Sequence, residues 1–294
     1  MPQTRRNLRG KVEEGGSITL AVVTRDRPGA LAQFLLPGLK EAAAAGFPVV
    51  VVDQSIGPKT AALVEQIPGA RCLRSAPGLA RGRNVAVRGI ATPLLAFTDD
   101  DVELPAGWLE RIVDVFERAP DAGAVCGRAL TPAGVLLPGS ADGTYRWPVR
   151  PFGLGSGFNV AFRRDALTLV GLFDEELGAG ARFRSAEDTD MLYRLLRAGF
   201  SVVCSEEITV VHHDLRRGRQ EVRLHYGYGL GAGAQTAKHL AAGDRAALRL
   251  LVGHAGRHLA TLGRAAATLR PNLAGLQVAY LAGVVAGLAR GRRR

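Results

Sequence analysis

The stretch Ala96-Phe-Thr-Asp-Asp-Asp-Val-Glu-Leu-Pro-Ala-Gly-Trp108 carries an apolar run, begun at Leu94, straight into three consecutive carboxylates. Adjacent carboxylates repel one another, and packing gives no reason to collect them at the end of a strand. Strand alternation predicts Asp99 and Asp101 on one side of the chain, where two oxygens suit a hard divalent cation and a sugar or ribose hydroxyl. The plain alternative is a solvated acidic turn whose last member caps the helix near Trp108. The neighbouring segments decide between the two.

Upstream, Ile18 to Val23 is a β-rich apolar run, followed by the turn Thr24-Arg-Asp-Arg-Pro-Gly29 and an Ala- and Leu-rich helical segment to about Ala45. Val49 to Val52 is a second apolar run and ends on Asp53. Lys59 to Ile67 reads as a helix, Arg71 to Leu73 as a short strand, Arg83 to Ile90 as a helix, and Leu94 to Thr98 as the strand that meets the carboxylates. Strands alternating with helices predict an α/β sandwich of the nucleotide-binding kind, with parallel strands, helical crossovers and both sheet faces covered. Such sheets bind ligands outside the carboxyl ends of their strands. Thr24, Asp53 and the Asp99 to Asp101 cluster each follow a separate run, so one crevice is expected to collect them. Neither GxGxxG nor GxxxxGK[ST] is present, which excludes the usual glycine loops for phosphate. A cation held by carboxylates is the expected substitute.

Downstream, Trp108 to Arg118 reads as a helix, Gly123 to Arg128 as a strand, and Thr131 to Pro151 as a Pro- and Gly-rich connection. Gly153, Gly155 and Gly157 either permit close backbone approach to a substrate or form an ordinary turn. The strand Phe158 to Phe162 and a helix around Asp165 to Val170 follow. Ser185-Ala-Glu-Asp188 opens a helix running to about Ala198, and Glu187 and Asp188 on its first turn have two readings. Ser185 with Asp188 three residues on has the spacing of a capping box, while a carboxylate on a rigid helix aimed at the crevice suits a general base. Ser201 to Cys204 and Ile208 to Val211 read as strands, the second leading into His212-His213-Asp214. Paired imidazoles there are either structural or ligands to Mn²⁺ or Mg²⁺ beside carboxylates.

Composition narrows the partners. Of 294 residues 47% are hydrophobic, which suits a well-buried core, and disorder is not expected for most of the chain. The net charge of +11 is concentrated: Arg245 to Arg294 holds nine arginines and no acid, leaving the rest nearly neutral. Cys72, Cys126 and Cys204 lie far apart without metal-ligand spacing, as expected of reduced, buried thiols in a cytoplasmic protein. The first residues are polar, so no secretory signal is expected.

Taken in order, several segments resemble the family 2 inverting glycosyltransferases, which have the GT-A fold. They are VVTRDRP, VVVDQS, GLARGRNVAVRGIATPLLAFTDDDVELPAGWL, GSGFNVAFRRDAL and VGLFDEELGAGARFRSAEDTDMLYRLLRAGF, and the likeness covers about Ser17 to Asp214. The resemblance implies a nucleotide-diphosphate sugar as donor, a hydroxyl acceptor and a divalent Mn or Mg cofactor. It implies that Thr24 and Asp53 contact the nucleoside, Asp53 through the base, with Arg83 and Asn84 near the nucleotide. Asp99 and Asp101 resemble the DxD motif, Asp101 as the direct metal ligand and Asp99 or Asp100 nearer the ribose or sugar. Asp188 matches the catalytic base of the ED motif, with Glu187 contacting acceptor or donor. The segment Gly155, Ser156, Gly157 to Asn159 resembles the loop over the donor sugar, and His212, less closely His213, resembles the histidine completing the metal site. No QxxRW follows Asp188, a departure from processive synthases that points to transfer of a single sugar.

The expected organisation is a polar tail over 1–16, a GT-A domain over 17–214 with a mostly parallel central sheet, and a helical basic region over 215–294. The run His225 to Gly233 is expected to be too glycine-rich for a stiff helix. Arg249, Arg257 and Arg264 recur on similar helical faces, ahead of the apolar Leu273 to Ala289 and the closing Arg290 to Arg294. This layout suits an interfacial anchor on the anionic inner face of the plasma membrane and a lipid-linked acceptor, with no nucleic acid. A helical hairpin packed on the enzyme is the alternative. Two other functions remain open here: a nucleotidyltransferase on a similar sheet, and a non-catalytic basic protein acting through its tail.

Overall fold

Along Ile18–Thr24 (β1) the side chains alternate between two buried layers, with Ile18, Leu20 and Val22 in one and Ala21 in the other. The computed structural model describes residues 16–139, 141–213 and 218–291. In it β1 lies between Val49–Asp53 (β2) and Leu94–Thr98 (β4), and Arg71–Arg74 (β3) extends the parallel set beyond β2. β2 is buried along its whole length, as a parallel strand covered on both faces must be. The crossovers are Pro28–Ala30 (α1), a π-helical turn Leu31–Leu35, Leu36–Ala44 (α2), Lys59–Val64 (α3) and Leu79–Gly89 (α4). Helix α4 lies tight on β1, because a Cβ at Gly82 would fall 2.4 Å from Val23 Cγ1.

Past β4 come Val102–Glu103 (β5), Trp108–Arg118 (α5), Ala122–Leu130 (β6), Gly143–Tyr145 (β7), Asn159–Arg163 (β8), Arg164–Val170 (α6), Glu187–Arg197 (α7) and Ser201–His212 (β9). The strand order is β3-β2-β1-β4-β8-β6-β9-β5, with β7 also paired to β9. The expected α/β architecture is present, and its sheet is parallel in the first half and mixed in the second. β8 runs antiparallel to both β4 and β6. No helix separates β6 from β8, and a strand reached without a helical crossover is free to pair antiparallel. The two short strands expected between Ser201 and Val211 are one strand, β9, whose register against β6 shifts between Gly127 and Ala129. Helices α2 and α5 cover one face through Leu39, Ile112 and Phe116, and α4 and α7 cover the other through Ala86, Met191 and Leu195.

Three helices close the described chain: Arg219–Ala241 (α8), Arg245–Ala267 (α9) and Pro271–Gly291 (α10). The run at 225–233, expected to be too glycine-rich for a stiff helix, lies inside α8. Tertiary packing overrides propensity there. A Cβ at Gly229 would fall 1.9 Å from Tyr280 O and one at Gly233 2.2 Å from Val284 O. From the other side, Cβ atoms at Gly283 and Gly287 would each fall 2.2 Å from Tyr226 O and Leu230 O. Spacings of four residues put these glycines on facing stripes, so two helix backbones meet directly. Helix α9 is capped by Asp244, which accepts from the Ala246 N–H, and it exposes Leu248, Val252 and Leu259. Of the expected polar tail 1–16 only Gly16 falls within the described residues, and Asp214 and Arg292 to Arg294 lie outside them.

The glycine contacts generate a paired prediction. Ala is intrinsically the better helix former by about 1 kcal/mol, yet Gly233→Ala should destabilise the protein by about 1–3 kcal/mol through overpacking. Gly256→Ala, in α9 with nothing within 4 Å of the new Cβ, should be neutral or stabilising by up to about 1 kcal/mol. Chemical denaturation of both variants reads the two signs.

Candidate functional site

β1, β2 and β4 end side by side. Thr24 is in register with Asp53, and Val22 with Thr98, so the carboxyl ends of three strands meet at one crevice, as expected. β4 itself stops at Thr98, which leaves the triplet in a turn where strand alternation no longer assigns sides. Arg27 joins Asp100 and Asp101, and Asp99 is close enough to Asp101 to feel its charge. Thr24 Oγ1 donates to Asp100 Oδ2 at 2.5 Å. Arg27 spans both acids, its Nη1 2.9 Å from Asp100 Oδ1 and its Nη2 donating to Asp101 Oδ2 at 2.7 Å.

These neighbours are driven to different protonation behaviour. Burial pushes Asp100 up to about 6, against the opposing hydrogen bond from Thr24 and the charge of Arg27. For Asp101 burial again raises the value, but contacts with His212 and Arg27 outweigh it and hold the carboxyl at about 2. Asp99 is raised as well, by burial first and then by the charge of Asp101, with Arg83 and His212 opposing. Asp101 thus gives up its proton more readily than its two acidic neighbours.

His212 stacks on Phe158, ring centroids 4.3 Å and planes 4° apart, and this holds its Nε2 3.3 Å from Asp101 Oδ1. That oxygen is buried and takes no well-aligned hydrogen bond, although the imidazole is close enough to be felt electrostatically. His213 turns the other way, with Nε2 3.0 Å from Glu103 Oε1 and its ring stacked on Phe34 at 3.9 Å. Of the two candidate imidazoles only His212 faces the carboxylates. An orphaned carboxylate oxygen opposite an imidazole nitrogen fits part of a divalent cation's donor set. No group of three or more His, Cys, Asp or Glu among the described residues converges to complete it, so further donors would have to come from a ligand.

On the far side of the crevice lies α7. Its first residue follows Ala186 in a left-handed conformation at φ 76°, and no side chain caps it. The capping-box reading is corrected here: Ser185 Oγ donates to Gly227 O of α8 at 2.9 Å and does not turn back onto the helix. Glu187 is buried, and its Oε1 accepts from Arg83 Nη1 at 2.7 Å. Burial, with Asp188 beside it, pushes Glu187 up to about 7 despite Arg83. Arg83 is itself 2% exposed, donates from Nη2 to Gly157 O at 2.9 Å, and lies 5.5 Å over the Phe97 ring. Asp188 is half-buried, and among the described residues its hydrogen bonds come from Thr189, the N–H at 2.7 Å and the hydroxyl at 3.2 Å.

Several of the expected site residues also bond within the protein. Asn84 donates to Phe173 O at 2.9 Å and Glu175 Oε1 at 3.1 Å and accepts from the Phe173 N–H at 2.8 Å, bracing the segment that leads to α7. Asn159 is fully buried, donating to Arg128 O and Ile208 O at 2.8 and 2.7 Å. It ties β6 to β9 beneath the glycine loop and does not reach over it. Gly155 and Gly157 are required by close approach, since a Cβ would fall 2.3 Å from Cys126 Sγ in the first and 2.4 Å from Arg83 Nη2 in the second. Ser156, between them, accepts from the Asn159 N–H at 2.9 Å through its carbonyl. Asp53 is fully buried, accepts from the Ser55 N–H at 2.8 Å and pairs with Arg74.

Arg27, Arg74 and Asp190 carry much of this geometry and were not singled out by the sequence. The TRDRP turn advertised Arg27, and Arg74 ends a strand beside Asp53, but which acid each arginine meets depends on strand order. Asp190 is fully buried and accepts from Arg194 Nε at 2.8 Å, His239 Nε2 at 2.8 Å and Lys238 Nζ at 3.1 Å. Burial would raise its carboxyl, but these three partners hold it well below the usual range.

Residues 20–167, half of the chain, match the family model described as Glycosyl transferase family 2. The O-antigen biosynthesis protein RfbC of Myxococcus xanthus is 26% identical over 229 residues, covering 67% of this chain and 17% of that protein. The pre-mycofactocin glycosyltransferase of Mycobacterium tuberculosis is 30% identical over 219 residues, 70% of this chain and 44% of that one. The chain therefore spans less than half the length of these curated relatives. Among solved structures, a mannosyltransferase from Pyrobaculum calidifontis in complex with GDP-Man and Mn²⁺ superposes with a TM-score of 0.62 at 17% identity, covering 92% of this chain and 86% of that one. S. aureus TarS 1–349 in complex with UDP-GlcNAc superposes at 0.56 and 18% identity, covering 75% and 66% of the two chains. The parallel strand ends, the acidic turn and the family match over them agree: this chain belongs to glycosyl transferase family 2 and has the GT-A fold.

Proposed function

We propose that the chain transfers a single sugar from a nucleotide-diphosphate donor to a hydroxyl acceptor, with inversion and with Mn²⁺ or Mg²⁺ as cofactor. The observation that carries this reading is the pairing of Asp101 with His212 at the strand ends and of Glu187 with Arg83 at the start of α7, where Asp188 stands less buried beside it. Sugar transfer needs a site for a diphosphate at one end and a base for a hydroxyl at the other. Asp101 and His212 would hold the cation, with Asp99 or Asp100 nearer the ribose or sugar. Bound there, a divalent cation neutralises the charge that the departing diphosphate gains. Thr24 and Asp53 lie at the strand ends where the nucleoside would sit, and Gly155 to Gly157 bring backbone close to the donor sugar. The family match and the absence of a glycine-rich phosphate loop favour this over nucleotidyl transfer.

Asp188 and Glu187 divide the work on the acceptor side. Glu187 faces Arg83 from inside the fold, and its raised carboxyl makes it a poor resident anion near neutral pH. Asp188, less buried, is the base that takes the acceptor's proton as its oxygen attacks the sugar from the face opposite the leaving group. Arg83 keeps the helix carrying both acids in line with the glycine loop.

For location we propose peripheral binding to the cytoplasmic leaflet of the plasma membrane through α9 and α10. Helix α10 is long and apolar enough, by length and composition, to cross a membrane, but its glycine face packs on α8 and only its outer face, with Val278 and Val285, is open. Exposed Leu248, Val252 and Leu259 lie on α9 among Arg245, Arg249, Arg257 and Arg264.

The tests follow from these roles. In a panel of UDP-, GDP- and dTDP-sugars, one nucleotide should be bound and slowly released in the presence of Mn²⁺ and not with chelator, and Asp101→Ala should abolish this. Asp188→Asn should bind the same donor and lose about 10²–10⁴-fold in turnover, whereas near-normal turnover removes Asp188 from the mechanism. The raised carboxyl of Glu187 binds a proton more tightly folded than unfolded, so it makes stability fall as pH rises from about 4.5 to about 7. Melting temperatures of Glu187→Gln measured across that window should decline less steeply than those of the unaltered protein. Vesicles containing anionic lipid should sediment the protein at low salt and release it at 1 M salt, where the Debye length is about 3 Å. Equal behaviour with neutral vesicles defeats the membrane assignment.

A further inference from the structure

The turn after β1 is fixed at both ends of its arginine. Asp26 sits at φ 55°, in the left-handed region, and the end of β2 holds it there: its N–H donates to Ser55 Oγ at 2.8 Å, and its Oδ1 accepts from the Ile56 N–H at 3.2 Å. Arg27 follows, and its carbonyl accepts from the Leu31 N–H at 3.1 Å as α1 begins. With its backbone pinned, its side chain is directed at the acidic turn, Nη1 2.9 Å from Asp100 Oδ1 and Nη2 2.7 Å from Asp101 Oδ2. The two carboxylates are 5% and 4% exposed, whereas the Arg27 side chain is 44% exposed. Of the three groups the guanidinium is therefore the one free to leave. When it does, Asp100 keeps the hydroxyl of Thr24 at 2.5 Å, while Asp101 keeps only the imidazole of His212 at 3.3 Å from Oδ1. Asp101 is the acid whose charge then has to be met by another cation.

We propose that Arg27 is a resident counter-ion of this turn, which competes with the divalent cation for Asp101 and moves to the donor's diphosphate when it gives that acid up. The proposal rests on the transferase reading above and adds to it how the site is loaded. A guanidinium and a divalent cation do not share one buried carboxylate well, because like charges at contact distance repel strongly where water is scarce. Metal by itself therefore has to displace Arg27 from two acids at once and binds weakly. A diphosphate changes that balance, since its paired oxygens match the guanidinium fork and give Arg27 another anion to meet. Metal and diphosphate then favour each other's binding through one side chain, and the coupling is reciprocal.

The test uses the full chain, with Mn²⁺ alone as the first probe, read as loss of the free-ion signal in electron paramagnetic resonance. R27Q should bind Mn²⁺ at least about tenfold more tightly than the unaltered protein, the effect of roughly one charge-assisted hydrogen bond, while R27K, which keeps the charge, stays close to it. R27Q/D101N should lose the gain. The second probe is UDP, GDP or dTDP, whichever binds, titrated by calorimetry at saturating Mn²⁺. Here the sign reverses, and R27Q should bind the nucleotide at least about tenfold more weakly. Opposite signs in one variant separate a counter-ion from a residue that only holds the turn, whose loss weakens both. Mn²⁺ should also raise the melting temperature of R27Q more than that of the unaltered protein, which shows that the variant folds. Mn²⁺ affinity unchanged or weakened in R27Q overturns the proposal. Tighter Mn²⁺ binding with unchanged nucleotide affinity rejects the move to the diphosphate and leaves the competition for Asp101. If the unaltered protein binds none of the three nucleotides with Mn²⁺, the transferase reading falls, and the Mn²⁺ comparison still decides whether Arg27 competes for Asp101.

Discussion

The guanidinium of Arg83, buried to 2% exposure, is held between Glu187 and the carbonyl of Gly157 and lies over Phe97. A buried charge without partners costs several kcal/mol, so each of these contacts is obligatory once α4 packs on the sheet. The result is that three segments far apart in sequence, the α4 helix, the glycine loop and the start of α7, have one common fixed point. Gly157 is required because a side chain there would occupy the place of the guanidinium, and Glu187 is required to face inward. Asp188, next along the helix, then has its direction set by a residue 104 positions from its neighbour.

A second fixed point lies in the first turn of the same helix. Asp190 is fully buried and takes bonds from Arg194 on its own helix and from Lys238 and His239 on α8. Tyr193 and Arg197 reach Asp244, the cap of α9, at 2.7 Å each. The C-terminal helices are thus bonded to the acid-bearing helix by charge and hydrogen bonds, and to one another by glycine contacts. Two kinds of cohesion meet in α8, polar on one side and close-packed backbone on the other.

How much of this was legible in sequence depends on the range of the interaction that decides it. Leu94 to Thr98 and Trp108 to Arg118 are readable to the residue, because runs of apolar residues and helical periodicity are local signals. The gathering of Thr24, Asp53 and the acidic triplet follows from one rule about parallel sheets. The protein partners of Asn159 and Asn84 were not legible, because an amide bonds a ligand or a backbone carbonyl with the same chemistry and only the folded arrangement shows which carbonyls are near. The direction of His213 turned on a single residue of strand phase. The glycines of α8 read as loosening their helix because their partners, the glycines of α10, lie some fifty residues further on.

The bonds to Asp190 also impose an order on synthesis. Its partner Lys238 is 48 residues further along the chain, which at about 5–20 residues per second takes about 2–10 s to be made. Throughout that interval the α7 segment has an acid at the position that will be buried and only Arg194 to meet it. Helix α7 therefore completes its seat on the sheet only when α8 emerges. A nascent chain stopped short of α8 would present the ribosome's surroundings with a sheet whose acid-bearing helix is still loosely attached.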